Sequence, residues 1–467
     1  MDIPAPLQHV LKAIRPVARP RLAGGCVRDW LLGLTPKDFD IEVQGIDFDD
    51  LQALLAPFGS TDVVGRSFGV IKLRLGSTDY DFSLPRRESK RGAGHRGFAV
   101  TPDPDLNDSD AAARRDFTIN SITFDPFTRD IFDPHGGRVD LEKRILRHTS
   151  PAFVEDPLRV LRAFQFAGRF NLTLAPETAA LCRAMTATFN ELPVERVWGE
   201  WDKWAYQSAH PSRGLAVLEE TGWLMHFPEL AALRGCPQDP DWHPEGDVFT
   251  HTQHCCDALV RLPAWQEAPS SRRRMLMFAT LTHDVGKPST TRQSEHQGRM
   301  RWRSLGHEAA GRPIADAFLQ RIGAPHTIIE CVRPLVVLHL AHHHGGGDFS
   351  DTHIRRLARK LFPSTIDDLC AVMIADSLGR PPLNGSETLV LIEKLRTRAH
   401  QLSIRQSPPR PILFGRHLIA LGQKPGPHFT EILATAFELQ LDGAFHDEET
   451  ALIWLRNYLT MSGMHRS

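Results

Sequence analysis

Chemistry in this sequence starts with Asp38 and Asp40, two residues apart in the run Asp38-Phe39-Asp40-Ile41-Glu42-Val43. Strict alternation predicts a strand with Asp38, Asp40 and Glu42 on one face and Phe39, Ile41 and Val43 turned into a core. Carboxylates at that spacing repel one another unless water or a divalent cation lies between them. Hard Mg²⁺, held by Asp38 and Asp40 together with substrate phosphates, is the expected partner. Upstream, Leu22-Ala23 reads as a strand running into Gly24-Gly25, after which Val27, Trp30, Leu31 and Leu34 fall at helical spacing. A glycine turn that opens a helix points free N–H groups and a positive dipole end outward, a seat for phosphate. A bare diglycine turn and a solvated acidic edge are each commoner than a site. Together they point to a metal-phosphate site.

Further elements must bring partners to these residues. Asp47–Phe58 reads as a helix, and Val70–Leu75 with Tyr80–Leu84 reads as a hairpin around Gly76-Ser77-Thr78-Asp79. Tyr80, Phe82 and Leu84 then face one way, while Asp81 and Ser83 face the other. A hairpin beside the first strand would carry Asp81 to Asp38 and Asp40, with Asp79 as the rival third carboxylate. Arg86–Gly97 is basic and glycine-rich, either a solvated loop or a flap over a ligand. In Arg114-Arg115-Asp116-Phe117-Thr118-Ile119-Asn120 the paired guanidinium forks suit a triphosphate, since each binds two oxygens at once. From about Ala152 the pattern becomes helical. In Glu155-Asp156-Pro157-Leu158-Arg159, Asp156 reads as an N-cap and Pro157 as the first helical residue. Asp156 and Arg159 then share the first turn.

The segments GGCVRD with DFD, RRDFTIN and EDPLR resemble the signatures of class II tRNA nucleotidyltransferases (CCA-adding enzymes) and the related bacterial poly(A) polymerases. The resemblance implies an α+β fold, with a nucleotidyltransferase-type head on a mixed β-sheet followed by all-α neck, HD and tail domains. The expected spans are 1–145 for the head, 146–240 for a base-selecting neck, 241–380 for the HD domain and 381–467 for a tRNA-contacting tail. It makes Asp38, Asp40 and Asp81 catalytic. Gly24, Gly25, Arg28, Arg114, Arg115, Asp116, Asn120, Asp156, Arg159 and Arg162 become nucleotide-binding. The implied reaction is template-independent addition of C and A, from CTP and ATP, to the tRNA 3′ end. Cytosine and adenine both present an amino donor beside a ring-nitrogen acceptor. An Asp–Arg pair matches both and leaves guanine and uracil mispaired. The rivals are an enzyme adding only A or only CC, a poly(A) polymerase, and an HD phosphohydrolase whose head merely binds RNA.

A second constellation comprises His251, His283-Asp284-Val285-Gly286-Lys287 after the apolar run Leu276–Leu281, and Asp376. It resembles the HD phosphohydrolase domain, which implies His251, His283, Asp284 and Asp376 as metal ligands. Imidazole favours transition ions, so Ni²⁺, Co²⁺ or Mn²⁺ is expected there, with phosphatase or 2′,3′-cyclic phosphodiesterase activity. His307, His339 and the run His342-His343-His344 either serve a second metal or belong to a solvated loop. Gln238–Gly246 reads as a linker. Phe414–Gly422 with Lys424 resembles the C-terminal region of some class II enzymes, where Arg416 and Lys424 would meet RNA phosphate.

Composition sets outer bounds. A chain of 467 residues exceeds one compact core and predicts two to four domains. Its net charge of −1 requires an RNA partner to be held by local basic patches. Seven cysteines without CxxC spacing fit reduced thiols, and no apolar run approaches a membrane span. A soluble cytoplasmic protein without membrane contact is expected, as monomer or dimer.

Overall fold

The computed structural model describes residues 1–63, 69–90, 98–343 and 349–462. The chain forms two compact units, Met1–His226 and Phe227–Ser467.

The first unit is built on strands β1 (Arg19–Ala23), β2 (Asp40–Gln44), β3 (Ser60–Val63), β4 (Val70–Leu75) and β5 (Thr78–Ser83). Strands β6 (Arg86–Lys90) and β7 (Phe98–Pro102) form a separate hairpin, and β8 (Thr123–Phe124) and β9 (Ile131–Phe132) complete the main sheet. The main order is β3-β4-β5-β2-β1-β8-β9. Neighbours are antiparallel except β2 and β5, which run parallel. A helix, Phe48–Leu55, and strands β3 and β4 separate those two in sequence, length enough for the chain to return in the same direction. Ile41, Val43, Ile71, Leu73 and Phe82 are fully buried, with Leu7, Leu11 and Ile14 of the helix Ala5–Ile14 in the same core. Each such side chain contributes about 1.5–3 kcal/mol on burial, so the alternation in β2 and β5 is fixed by the core. A one-residue slip would turn every one of these side chains outward.

Two expectations need correction here. The strand begins at Asp40, and Asp38 lies in the bend before it, so the alternating run is shorter than the sequence pattern. Glu42 is not on a solvated acidic face; it is 5% exposed.

Beyond the sheet, the helix Leu158–Phe170 packs on Val194–Gln207 and Pro211–Glu220. Phe164 sits 4.6 Å from Trp201 and 5.3 Å from Trp204, ring to ring. The helix starts at Leu158 with Pro157 as its cap residue, one position later than expected. Asp156 Oδ1 still accepts from Leu158 N at 3.1 Å, so the carboxylate does cap work from one residue further out.

Among the described residues the second unit is helical, with one departure. Arg292–His296 and Arg299–Arg303 form a hairpin around Gln297 (φ 51°) and Gly298 (φ 76°). Two successive left-handed residues make the turn whose twist suits a tight hairpin. Its strands are polar, so no apolar alternation marked them. Gln238–Gly246, expected as a linker, lies inside this unit: Lys287 Nζ donates to Gln238 Oε1 at 2.8 Å, and Gln238 Nε2 donates to Gly246 O at 3.2 Å. The C-terminal helices have a core of their own around Leu418, Ile432, Phe445 and Leu455. Among the described residues no helix is long and apolar enough to cross a membrane.

Candidate active site and a buried histidine–carboxylate cluster

The parallel register of β2 and β5 sets Asp40 beside Asp81. Asp79 is instead taken up by Arg74 at 2.7 Å, which removes the rival carboxylate. At the end of β1 the chain turns through Gly24 at φ +70°, where a Cβ would stand 3.0 Å from Arg115 Nη1 and 3.4 Å from Asp40 Oδ2. The backbone angle favours glycine, and a Cβ would also crowd the Arg115 guanidinium. The turn opens the short helix Gly25–Leu31. Enclosure by protein raises the Asp40 carboxyl above its ordinary value; Asp81 and Asp38 add to this, and Arg115 opposes it. Mutual repulsion of this kind is what a bound divalent cation relieves. Asp38 and Asp40 are open to the adjoining cleft, while Asp81 also stands 3.8 Å from Lys72 Nζ.

Asp38 and Asp40 face a cleft of about 660 Å³ lined also by Gly24, Gly25, Arg115 and Asp116, with Arg28, Asn120, Asp156, Arg159 and Arg162 on its walls. Behind it runs a network. Arg28 Nη1 donates to Asn120 Oδ1 at 2.6 Å, Asn120 Nδ2 to Asp116 Oδ1 at 2.9 Å, and Arg162 Nε to Asp116 Oδ2 at 2.6 Å. Burial works against the Asp116 carboxylate, but Arg162 and Asn120 outweigh it and hold the group below its usual range.

Arg114 departs from expectation. Its Nη2 donates to Glu42 Oε2 at 2.8 Å, and Arg115 Nη2 donates to the same oxygen at 3.2 Å. Arg115 faces the cleft, whereas Arg114 is not among its lining residues. Arg159 donates to two backbone carbonyls, Ala152 O at 2.9 Å and Arg114 O at 2.7 Å. Asp156 pairs not with Arg159 but with Arg196, through bonds of 2.8 and 3.2 Å. Arg169, Arg196, Lys203 and Tyr206 also line the cleft and were missed. They come from two helices distant in sequence, and only packing unites them. The latter part of the Arg86–Gly97 segment, 91–97, lies outside the described residues.

In the second unit His251, His283, Asp284 and Asp376 do converge, all at 4% exposure or less. His251 Nε2 is 3.2 Å from Asp376 Oδ1 and 3.6 Å from Asp284 Oδ2, and His283 Nε2 is 3.2 Å from Asp284 Oδ2. On the other carboxylate oxygen, His307 Nε2 lies 3.2 Å and His339 Nε2 3.8 Å from Asp284 Oδ1. Tautomers decide what this means. A carbonyl oxygen only accepts, so His283 Nδ1 must donate to Thr280 O (2.7 Å), His307 Nδ1 to Ser304 O (2.7 Å) and His339 Nδ1 to Val336 O (2.7 Å). His251 Nδ1 meets Glu245 Oε1 at 2.8 Å. Each ring thus aims Nε2 at a carboxylate, and the His307 and His339 Nε2 atoms face each other at 3.2 Å. Against burial, Cys255 and Asp376 raise His251, and Asp284 raises His307, above the ordinary imidazole value. Ring nitrogens converging in this way fit a cation once it displaces any Nε2 protons.

Charge agrees with the geometry. Burial opposes the ionised forms of Asp284 and Asp376, yet His283 and Lys287 hold the first, and Arg380 and His251 the second, well below the usual range. Burial lowers His339 to about 3, keeping it a neutral donor. Glu245 and His243 were not anticipated; Glu245 Oε1 accepts from His243 Nδ1 as well, at 2.8 Å. A carboxylate behind a histidine fixes the ring a metal would use. Beside the cluster lies a pocket of about 590 Å³ with Lys287, Arg303, Arg380, Trp242 and Trp302 on its walls. His344 lies outside the described residues, and His342 Nδ1 turns to Met373 Sδ at 2.9 Å. His343 lines the pocket.

Residues 20–147 match the family described as the Poly A polymerase head domain, and 171–233 match the probable RNA and SrmB-binding site of polymerase A. The multifunctional CCA protein of Xanthomonas campestris pv. campestris (strain B100) is 37% identical over 432 residues, covering 89% of this chain and 96% of its own length. That of Pasteurella multocida (strain Pm70) is 36% identical over 371 residues, 77% of this chain and 83% of its own. Among solved structures, the Bacillus stearothermophilus CCA-adding enzyme in complex with CTP has a TM-score of 0.65 at 20% identity, covering 99% of this chain and 100% of its own. The Thermotoga maritima CCA-adding enzyme complexed with tRNA_CCA has a TM-score of 0.60 at 18% identity, covering 98% and 96%. At those identities the structures speak for the fold, and the sequence relatives for the family. With the Asp38 and Asp40 carboxylates and the glycine turn in the matched head, and relatives 36% and 37% identical over most of their length, the chain belongs to the multifunctional CCA proteins, the class II CCA-adding enzymes.

Proposed function

We propose that this chain adds C and A from CTP and ATP to the 3′ end of tRNA without a nucleic-acid template. The observation that carries the reading is the pair Asp38 and Asp40 on the wall of an arginine-lined cleft, with Asp81 beside Asp40 through the β2–β5 register. Asp38, Asp40 and Asp81 hold Mg²⁺, which supplies Lewis acidity to the triphosphate and activates the tRNA 3′-hydroxyl. The Gly24-Gly25 turn lets the triphosphate approach the backbone, and Arg115 and Arg28 offer guanidinium donors to it. Asp156 accepts from the exocyclic amino group of cytosine or adenine, with Arg159 as the donor beside it. Arg196 holds Asp156 in place. Arg114, Asp116, Asn120 and Arg162 keep the cleft's donors aimed.

The same reading assigns 1–145 to the catalytic head, 146–240 to the base-selecting neck, 241–380 to an HD phosphohydrolase domain and 381–467 to a tRNA-contacting tail. It puts the enzyme in the cytoplasm with its tRNA. In the HD domain His251, His283, Asp284 and Asp376 hold one transition ion, Ni²⁺, Co²⁺ or Mn²⁺, and His307 and His339 share Asp284 with a second. Such an ion would supply Lewis acidity for phosphoester hydrolysis, that of a phosphatase or 2′,3′-cyclic phosphodiesterase. The test is label incorporation onto tRNA ending in N, C or CC. Full activity gives C on the first two substrates and A on the third. Incorporation of only one nucleotide would make this a partial enzyme, and A tails on unrelated RNA would make it a poly(A) polymerase.

A further inference from the structure

Cys255 lies four residues beyond His251 on the helix Val248–Leu259, so the two side chains share a face. The thiol is fully buried, and its Sγ is 3.3 Å from His251 Nε2, the ring atom aimed at the carboxylates. Donor atoms of Cys255, His251, His283 and Asp376 all lie within 4.8 Å of one another. Around one tetrahedral zinc ion, with a Zn–S bond of about 2.3 Å and a Zn–N bond of about 2.0–2.1 Å, sulfur and nitrogen stand about 3.5 Å apart. The 3.3 Å between Cys255 Sγ and His251 Nε2 already has that spacing.

A buried cysteine alone would be ordinary core packing. The second observation is His283 Nε2, buried and without an aligned hydrogen bond, its lone pair turned into the same space. Space on the opposite side is reserved as well. A Cβ at position 379 would run into Cys255 Sγ, so Gly379 is what lets the thiol sit where it does.

We propose that Cys255 is a further ligand of the HD-domain cation, adding one sulfur to the nitrogen and oxygen donors of His251, His283 and Asp376. The inference rests on the reading of that cluster as a metal site. As the sulfur–metal bond forms, the thiol proton leaves to solvent. A thiolate is a soft ligand, and it moves the site's preference toward Zn²⁺ and Co²⁺ and away from Mn²⁺. The all-nitrogen-and-oxygen ligand set expected from sequence would make that distinction less sharply.

The experiment is X-ray absorption on the full-length chain, stripped of metal and reloaded with one equivalent of Zn²⁺. The parent should show a sulfur scatterer at about 2.3 Å beside nitrogen and oxygen at about 2.0–2.2 Å. Cys255→Ser should lose the sulfur, and Cys256→Ser, altering the neighbouring buried thiol outside the cluster, should keep it. Reloading with Co²⁺ should give a thiolate-to-metal charge-transfer band lost in the same variant alone. Zn²⁺ held by the parent through nitrogen and oxygen only would overturn the inference and leave the metal-site reading standing. A parent that retains neither Zn²⁺ nor Co²⁺ would overturn both. The parent spectrum decides the matter even where a variant folds poorly.

Discussion

Glu42 is the residue on which the arginine pair depends. It is buried, and both Arg114 and Arg115 donate to its Oε2. Burial alone would raise its carboxyl; Arg115 and Arg114 outweigh that and hold it below the ordinary value. A carboxyl lowered in the folded state stabilises above the unfolded value and loses that contribution as pH falls through the folded one. Glu42→Gln should therefore destabilise the head at neutral pH, by about 3–5 kcal/mol for a buried pair that has lost one partner. The deficit against the parent should shrink as the solution is taken below the ordinary glutamate range. Thermal unfolding of both proteins from pH 7 to pH 3 measures it. A constant gap across that range would mean that Glu42 acts by shape and not by charge.

At the scale of elements, much of the site was legible because strand periodicity is rigid. Phe39, Ile41, Tyr80 and Phe82 had to go inward, which left Asp40 and Asp81 facing out, and parallel pairing then put them side by side. Helix faces said less. Asp156 and Arg159 share a turn, but which partner each chooses depends on what packs opposite. The helix Val194–Gln207 supplies Arg196 to Asp156, while the carbonyls of Ala152 and Arg114 take Arg159. Neither is visible in local spacing. The histidine tautomers were equally hidden, because they are set by carbonyls that matter only once the helices have formed. This pairing makes two variants separable. Asp156→Ala should blur the choice of nucleotide, with UTP and GTP competing better against CTP and ATP. Arg159→Ala should do so too, and also lower thermal stability by about 1 kcal/mol, since two half-buried carbonyls lose their donor. Competition assays and unfolding of both variants test this; discrimination equal to the parent's in both would reduce Asp156 to a helix cap.

For the whole molecule, the question is whether two chemistries on one chain need each other. Each compact unit holds one cluster complete: the cleft residues all belong to Met1–His226, and the histidine–carboxylate residues all belong to Phe227–Ser467. Their donors also differ in kind, open carboxylates in the first and buried imidazoles with carboxylates in the second, so the ions that suit them differ. Chemistry at one should then survive loss of the other. Asp38→Ala or Asp40→Ala should leave a folded protein whose nucleotide addition falls on the order of 10³-fold or more, as several kcal/mol of transition-state stabilisation are lost. Phosphoester hydrolysis should remain in these variants. His283→Ala combined with Asp284→Ala should do the reverse, removing hydrolysis and its response to Ni²⁺, Co²⁺ or Mn²⁺ while largely sparing addition with Mg²⁺. Measuring both activities in both sets, with helical content checked by circular dichroism, separates the units. Loss of both activities in either set, with folding intact, would mean that the two clusters work as one site.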